Sequence, residues 1–409
     1  MLAPVSGERR TRALEFGIYR DGDNNLDGVQ AAVLDQATRA SAADRTIEFS
    51  VEDTTSRRGF EPAHELRTES YTLTDGMPHH VALSPAHDMA SRSNLARFVA
   101  ATLDNAERSG AQQTWIDLVD HGAGDGGGLE SDHGTTGVMR ADDIAGAIAD
   151  GVALHAKAHP EDGARSVDGV VANECLMASL GFAHALSGAG VRFLAASPET
   201  MLAPGVPSTV ALDIAQHAGD PGAMSRAIVD RVMDTAYRAG PGESFGPAAA
   251  FDVLDLDVAR TAAVEAAVKN LDDALVGAAH ERSNRAAIRE DARAINGMVR
   301  FPQGKHLPWR ADRPAIALYD TFAQDGRLPE NVRVASRAAA DATRAIVLAH
   351  RESDDFAPFG GADYSNAAGP TVHFPVGARQ IDPWAPQVSE TDNDFYRAVD
   401  GRAVATIVA

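Results

Sequence analysis

The sequence predicts an α/β fold in which helices cover both faces of a mostly parallel β-sheet. Apolar runs short enough to be strands alternate with helical patterns throughout the first half of the 409-residue chain. Such alternation is typical of β-α-β units, whose crossover helices pack on the sheet. Several apolar runs also stop at Asp, Asn or Gly, as strands do where they enter loops. A chain of this length with 44% hydrophobic residues can bury a large core without disulfides.

Hydrophobic periodicity predicts the elements of the first half. Leu95, Phe98 and Val99 are spaced by three and four positions, which places them on one face of a helix. The run at 65–73 alternates polar and apolar residues, as expected for an edge strand. The predicted strands are 13–20, 46–51, 65–73, 114–119, 167–172 and 191–196, and the predicted helices are 26–40, 95–103, 142–155 and 176–186.

The composition of the chain changes after about residue 245. Alanine-rich, charged segments predict helices at 255–279, 283–295, 332–350 and 394–407, and a short strand is predicted at 370–375. We therefore predict a sheet-containing core over 1–245 and a mainly helical extension over 246–409, which returns one strand near 370–375. Because no repeat or obvious linker separates the two parts, we expect the extension to pack on the sheet.

Composition restricts the partners and the compartment. The chain carries 37 Lys and Arg against 58 Asp and Glu, a net charge of −21. This charge repels phosphates and anionic lipids, so nucleic acid and membranes are not expected as partners, whereas a basic substrate would be attracted. No segment has the ~20 apolar residues of a membrane helix, and the first residues lack the apolar core of a secretion signal. We expect a cytoplasmic protein, with leaderless export left open, and the oligomeric state stays unassigned.

Cys175 is the single cysteine of the chain, which excludes an intrachain disulfide. A lone cysteine is more often a small buried apolar residue than a nucleophile. Cys175, however, follows a predicted strand and precedes a predicted helix, whose N-terminus would stabilise a thiolate. His121 follows another predicted strand and lies 54 residues upstream, a spacing found in caspase-type enzymes. The two residues therefore predict a nucleophile and its base at the carboxyl edge of one sheet.

The residues around His121 are candidates for further roles. Gly122 follows it directly, and the backbone N–H groups of Gly122 and Cys175 can form an oxyanion hole. Asp117 or Asp120 is expected to orient the imidazole, and strand geometry does not choose between them because they point to opposite faces. The glycines after His121 match G-x-G-x-x-G, but no helix opens there, so a flexible active-site loop is the better interpretation.

Two candidate metal motifs are weak. The loop at 21–27 begins like an EF-hand, but Leu26 replaces the required glycine, so we interpret this loop as a turn and helix cap. His79, His80 and His87 fall in a predicted loop and are interpreted as exposed polar residues. The sequence therefore assigns no metal ligand.

Taken together, the motifs resemble those of the clostripain-like cysteine peptidases, which are relatives of the caspases. The resemblance covers most of the chain. The matching segments are IYRDGDNNL at 18–26, 88–98, IDLVDHGAG at 116–124, NECLM at 173–177, FLAASPETMLAPG at 193–205, and 369–375, where Thr371 takes the place of a serine. The resemblance implies a caspase-like αβα sandwich and a cysteine endopeptidase that cleaves polypeptides after Arg or Lys.

The resemblance also implies a role for individual residues. Cys175 would be the nucleophile, His121 the general base and acid, and the N–H groups of Gly122 and Cys175 the oxyanion hole. The chemistry requires no cofactor, although the family implies a dependence on Ca²⁺. Self-cleavage between the two catalytic residues is also implied, with Arg140 as the candidate site.

Two departures from the family pattern bear on specificity. Asn173 stands where the family has Asp near the pocket for a basic side chain, and Pro198 interrupts the S-E-E segment, in which Glu199 alone keeps a carboxylate. Asn173, Ser197 and Glu199 are still the predicted substrate-binding residues, because one buried carboxylate can pair with a guanidinium. The same departures favour the alternative that the chain is a catalytically silent, caspase-like binding module.

Overall fold

A computed structural model describes residues 12–55, 66–131, 137–161, 165–240, 243–295, 312–353, 367–376, 394–399 and 401–408. Its strands are β1 (Leu14–Asp21), β2 (Ile47–Thr55), β3 (Arg67–Thr74), β4 (Met77–Pro85), β5 (Gln113–Val119), β6 (Gly128–Glu130), β7 (Val138–Met139), β8 (Gly169–Asn173), β9 (Phe193–Ala196), β10 (Tyr237–Gly240), β11 (Glu243–Phe245), β12 (Ala250–Asp255), β13 (Asp312–Pro314), β14 (Val347–Glu352) and β15 (Thr371–His373). Nine of them form one sheet in the order β14-β12-β9-β8-β5-β1-β2-β3-β4.

The centre of this sheet is parallel. β2, β1, β5, β8 and β9 pair in parallel, whereas β3 and β4 at one end and β12 and β14 at the other are antiparallel. The parallel strands β1, β5, β8 and β9 are buried along almost their whole length, as expected when helices cover both faces. The predicted α/β class is confirmed.

Helices form a layer on each side of the sheet. The helices are α1 (Asp27–Gln30), α2 (Ala32–Ala43), α3 (Arg92–Ser109), α4 (Ala141–Ala158), α5 (Leu180–Gly188), α6 (Val210–Gln216), α7 (Pro221–Asp234), α8 (Val258–Ala279), α9 (Arg282–Ala294), α10 (Ala315–Gln324), α11 (Glu330–Ile346), α12 (Asp394–Ala398) and α13 (Arg402–Val408). The apolar residues of α3, α4 and α5 join one core cluster, and those of α2, α6 and α7 join the cluster on the opposite face. This arrangement is the αβα sandwich that the resemblance implied.

The sequence patterns did not reveal β4, β12 and β14. Nearly every residue of β4 is exposed, so its sequence lacks a buried face that periodicity could detect. β4 therefore takes the edge position predicted for β3, and His79 and His80 lie on this strand and not in the predicted loop. β14 continues directly from α11 without a breaker residue, which explains why the helical pattern was extended through it.

The division of the chain at residue 245 stays a prediction. β12 and β14 follow this position and complete the same sheet beside β9, while the helices from α8 onward contribute most of a separate apolar cluster. None of the described helices is both long and apolar enough to cross a lipid bilayer.

A buried ion pair fixes the loop that follows β1. The guanidinium of Arg20 lies 2.6 Å from Asp53 Oδ1 and 3.2 Å from Asp27 Oδ1. Burial raises the pKa of Asp53 to about 6, and the charge of Arg20 opposes this rise. Through its contact with Asp27, Arg20 holds the 22–27 loop beside the carboxyl end of β1. Removing one member of this buried pair would leave an uncompensated charge.

Candidate functional site

The candidate site lies at the carboxyl ends of β1, β5 and β8. The chain runs from β1 outward to β2 and later returns to β5 on the other side of β1, so the sheet has a topological switch point there. Ligands of open α/β sheets bind in the crevice at such a point. Asn25 follows β1, His121 follows β5 and Cys175 follows β8, which brings three polar side chains to the same edge.

The loops that carry His121 and Cys175 are in direct backbone contact. Val119 is paired with Asn173 at the end of the β5–β8 ladder, and the N–H of Asp120 donates to the carbonyl of Asn173 at 3.4 Å. A Cβ added to Gly122 would lie 2.3 Å from the carbonyl oxygen of Cys175 and 2.9 Å from its nitrogen. Only glycine allows this approach, because any side chain would push the two loops apart.

Asn25 forms a hydrogen bond with the ring of His121. Its Oδ1 lies 2.7 Å from His121 Nε2, so the amide oxygen accepts from the protonated Nε2. This bond leaves Nδ1 as the basic nitrogen of the neutral ring. The neighbouring Asn24 fixes the loop, because its Nδ2 donates to Asp120 Oδ1 at 2.6 Å and to the carbonyl of Glu130 at 2.9 Å.

Asp120 and Asp117 were the two candidates to orient the imidazole. The side chain of Asp120 accepts hydrogen bonds from Asn24, from the N–H of Glu130 and from the backbone N–H of His121. Asp117 lies inside the sheet at 0% exposure, and neither of its oxygens has a hydrogen-bond partner among the described residues. The bond from Asn25 therefore supplies the ring contact that we sought from these two carboxyls.

Cys175 is half-buried against the segment that follows β9. Its Sγ accepts from the N–H of Met201 at 3.3 Å and lies 3.7 Å from the carbonyl oxygen of the same residue. The predicted helix at 176–186 begins only at Leu180, because Leu176 has a φ of 72° and Ser179 forms the N-cap. The expected helix N-terminus is thus not adjacent to the sulfur, and Met201 provides the N–H that points to it.

Burial raises the pKa values of several carboxyl groups around the site. Burial raises the pKa of Glu174 to about 8, with repulsion from Asp117 and Asp21 adding to the rise and a hydrogen bond from Leu129 opposing it. Burial, followed by repulsion from Asp21 and Glu174, raises the pKa of Asp120 well above its usual range. Burial also raises the pKa of Asp21 to about 8. These acids therefore add less negative charge near Cys175 than their number suggests.

The side chain of Asn173 forms two hydrogen bonds with the backbone of Val206, beneath the site. Its Nδ2 donates to the carbonyl of Val206 at 3.0 Å, and its Oδ1 accepts from the N–H of the same residue at 2.7 Å. A Cβ on Gly205 would meet the amide oxygen at 1.9 Å. An aspartate would lose the donor that Val206 needs, so an amide is the residue type that fits here.

Ser197 and Glu199 line the turn that packs behind Cys175. Ser197 Oγ donates to the carbonyl of Ala250 at 2.8 Å and accepts from the N–H of Glu199 at 3.0 Å. The carbonyl of Glu199 accepts from the N–H of Leu176 at 3.0 Å, which ties this turn to the cysteine loop. Glu199 is 1% exposed, so the structure brings a buried carboxylate into the same region as Cys175.

Arg140 lies on the other side of the glycine-rich loop. It occupies the N-cap position of α4 and is partly exposed. A Cβ on Gly127 would lie 2.8 Å from its Cα, so its backbone packs against the loop that follows His121. Self-cleavage at Arg140 stays a prediction.

A calcium site does not emerge from the described residues. Among the described residues, one group of three potential ligands, Asp104, His155 and His159, brings its ligand atoms within 4.8 Å of one another. Ca²⁺ prefers six to eight oxygen ligands, and this group offers two imidazoles. The group therefore does not fit Ca²⁺, and no step of the reaction is derived through that ion.

Sequence reasoning missed Asn25 and Met201. Asn25 lies in the D-N-x-L loop that resembles the family, so a polar residue in the loop after β1, at the switch point, was a usable signal. Met201 acts through its backbone N–H, for which the residue type carries no signal. Its position depends on the bridge between Met201 and Ala248, a contact distant in sequence.

Solved structures of C11 cysteine proteases share this fold. A secreted C11 cysteine protease from Bacteroides thetaiotaomicron, in complex with an irreversible peptide inhibitor, has a TM-score of 0.64 and 14% identity and covers 96% of this chain and 100% of its own. The C11 protease iotapain from the same organism has a TM-score of 0.62 and 11% identity, and the match covers 95% of this chain and 99% of its own. An inactive zymogen C11 protease from Parabacteroides distasonis has a TM-score of 0.61 and 15% identity, and the match covers 95% of this chain and 98% of its own. No family model and no curated protein matches the sequence.

The comparison overturns one expectation. We expected a cytoplasmic protein from the composition of the first residues, whereas one of the proteins with this fold is a secreted C11 protease. The cytoplasmic expectation is therefore wrong. The match extends over nearly the full length of each solved chain, and on that basis this protein has the caspase-like fold of the C11 cysteine proteases.

Proposed function

We propose that this protein is a cysteine endopeptidase in which Cys175 is the nucleophile and His121 the general base and acid. The observation that carries the proposal is the packing of Gly122 against the backbone of Cys175, which joins the two loops at the edge of the sheet where ligands bind. The shared fold supports the same reaction class, and one protein with this fold binds a peptide inhibitor irreversibly. A polypeptide is therefore the proposed substrate.

The proposed reaction has two steps. Cys175 Sγ attacks the carbonyl carbon of the scissile bond and its proton passes to His121, while the N–H groups of Gly122 and Cys175 bind the oxyanion. The C–N bond breaks as His121 gives the proton to the leaving amine. His121 then takes a proton from water, and the hydroxide attacks the thioester. The C–S bond breaks to release the acid as His121 returns that proton to Sγ. These steps require no cofactor.

Two neighbours favour the thiolate form of Cys175. The N–H of Met201 already points to the sulfur, and an N–H donor stabilises a thiolate more than a thiol. Glu174 precedes the nucleophile and, with a pKa near 8, is mostly neutral at pH 7. An ionised carboxylate at this position would repel the thiolate and raise the pKa of the thiol.

Asn25 is the proposed positioning residue. It holds Nε2 of His121 at 2.7 Å and so presents Nδ1 as the base. A fixed tautomer and a fixed ring orientation are what general base catalysis requires of the imidazole. The roles of the three residues then parallel the Cys-His-Asn arrangement of other cysteine proteases.

The proposed preference is for Arg or Lys at the cleaved bond. A net charge of −21 attracts basic peptides, and Glu199 supplies a buried carboxylate beside the cysteine loop. A guanidinium that reaches this carboxylate would form a charge-assisted hydrogen bond. Asn173 adds no charge, and its amide is engaged with Val206, so the preference rests on Glu199.

A catalytically silent binding module is the second candidate. The observation that favours it is the contact of Cys175 Sγ with both the N–H and the carbonyl of Met201, which flank the sulfur in this structure. In a silent module this contact would persist and the thiol would react slowly. The reactivity of Cys175 therefore separates the two functions.

Covalent labelling tests the proposed function. We expect a peptidyl ketone probe with Arg at its terminal position to modify the protein at a single site, because Cys175 is the only cysteine. The mass increase, measured on the intact protein, should be absent in Cys175→Ala and at least about tenfold slower in His121→Ala. Iodoacetamide serves as the control for simple thiol exposure. The silent module would be supported if the peptidyl ketone and iodoacetamide modified Cys175 at equal rates. It would also be supported if the ketone did not label the protein and the protein cleaved no member of a peptide library.

Replacement of Asn25 tests its positioning role. Asn25→Ala should lower kcat by roughly tenfold to hundredfold, a part of the contribution of general acid–base catalysis, and leave KM nearly unchanged. Asn25→Asp should recover activity and shift the pH profile upward, because a carboxylate stabilises the imidazolium. Asn331→Ala, at an exposed asparagine of α11, is the matched control. A loss that is equal in both Asn25 variants, with no shift of the profile, would contradict the role.

Replacement of Glu199 tests the specificity. With matched peptides that differ only in Arg or Gln at the cleaved position, Glu199→Gln should reduce the ratio of kcat/KM by at least about tenfold, ~1.4 kcal/mol. Glu265→Gln on α8 is the control, because its side chain is partly exposed and paired with His184. A ratio that stays the same in Glu199→Gln would show that another group selects the basic residue.

The neutral Glu174 predicts how stability depends on pH. The folded state keeps a proton up to about pH 8, whereas the unfolded state loses it near 4.5, so the free energy of unfolding should fall as pH rises through this window. Glu174→Gln should make the fall shallower, by at most about 1.4 kcal/mol per pH unit. Urea denaturation between pH 5 and 8 measures this slope, with Glu161→Gln at an exposed glutamate as the control. Parallel curves for the parent and Glu174→Gln would contradict it.

A further inference from the structure

A cluster of two histidines and one aspartate joins the C-terminal ends of α3 and α4. Asp104 Oδ1 lies 2.7 Å from His155 Nδ1 and 3.0 Å from His159 Nε2. The two imidazole rings are 4.7 Å apart, and the three ligand atoms lie within 4.8 Å of one another. Three potential ligands, two of them nitrogens, thus face one small volume.

The sequence and the packing of the helices explain why the three side chains meet. His155 and His159 are four positions apart at the end of α4, which places them on one face. α3 approaches this face closely because Gly151 has no side chain, and a Cβ there would lie 2.6 Å from Cβ of Val99. This close approach brings Asp104 against the two rings.

Electrostatics at this place favour a cation. His155 lies in the last turn of α4 and His159 is the C-cap residue of this helix, so the negative end of the α4 dipole is close to both imidazoles. Asp104 approaches them from α3, one turn before that helix ends. The side chain of His155 is fully buried, whereas His159 and Asp104 are about one-third and two-fifths exposed. The ring nitrogen of His155 that faces Asp104 is Nδ1, while Nε2 of the same ring is buried and has no hydrogen-bond partner among the described residues.

We propose that Asp104, His155 and His159 bind Zn²⁺ through two imidazole nitrogens and one carboxylate oxygen, with water as the fourth ligand. Two histidines and one carboxylate are a known ligand set of tetrahedral Zn²⁺, with bonds of about 2.0–2.2 Å. Ligand atoms of such a site lie about 3.3 Å apart, so the carboxylate must withdraw by a few tenths of an ångström, which its exposure allows. Imidazole ligands select Zn²⁺ over Ca²⁺ and Mg²⁺.

The position of the cluster assigns the ion a structural role. α4 is the helix that precedes the parallel strand β8, so its C-terminal end lies towards the amino edge of the sheet, opposite the edge that carries Cys175. An ion there would join α3 to α4 and would not take part in the reaction. The proposal is therefore independent of the proposed peptidase activity.

Metal titration tests the proposal. The full-length Cys175→Ala protein, freed of metal by a chelator, removes the thiol as a competing ligand. We expect one equivalent of Co²⁺ to bind with the visible absorption of a tetrahedral site and Zn²⁺ to displace it. His159→Gln and Asp104→Asn should each weaken Zn²⁺ binding at least tenfold, whereas His280→Gln, at an exposed histidine, should not.

Thermal unfolding provides the second measurement. Zn²⁺ should raise the Tm of the Cys175→Ala protein and of His280→Gln but not of His159→Gln, because only ligands that bind the folded state stabilise it. Equal Tm values without metal show that His159→Gln still folds. Binding of the same strength in all variants, or no binding of one equivalent, would overturn the proposal.

Discussion

The close approach of Gly122 to the backbone of Cys175 is the contact on which the candidate site depends. The added Cβ at 2.3 Å from the Cys175 carbonyl shows that no other residue can occupy this position without moving a loop. The approach follows from the parallel register of β5 and β8, in which Val119 and Asn173 are partners. Both loops therefore leave the sheet at the same level, and the rest of the site is built around their contact.

Burial of acids around this contact reconciles a strongly acidic chain with an anionic nucleophile. A charge of −21 would oppose a thiolate if the nearby carboxyls were ionised. Burial raises the pKa values of Glu174, Asp21 and Asp120, which reduces the negative charge that these groups place near Cys175. The backbone N–H of Met201 donates to Sγ beside these groups.

The sequence was sufficient for the parts of the structure that depend on local patterns. The ends of β5 and β8 could be located from their apolar runs, and this alone placed His121 and Cys175 at one edge. Local patterns locate the loop of Asn25, but they do not show that Asn25 contacts His121 or that Met201 contacts Cys175, because these contacts join segments that are far apart in the chain. β4 escaped detection for another reason: an exposed edge strand has no buried face, so its residues carry no periodic signal.

The two edges of the sheet are connected through α4. Its first turn follows Arg140, whose Cα packs against the loop after His121, and its last turn carries His155 and His159. A side-chain cluster that restrains the C-terminal end of this helix also restrains the helix as a rigid body, because α3 packs along it closely enough to require Gly151. An ion that fixes the C-terminal end of α4 at the amino edge would thus also stabilise the position of its N-terminal end at the carboxyl edge. This effect needs no contact between the cluster and the substrate. Such an effect would appear as a change in the temperature range of activity and not as a change in the chemical step.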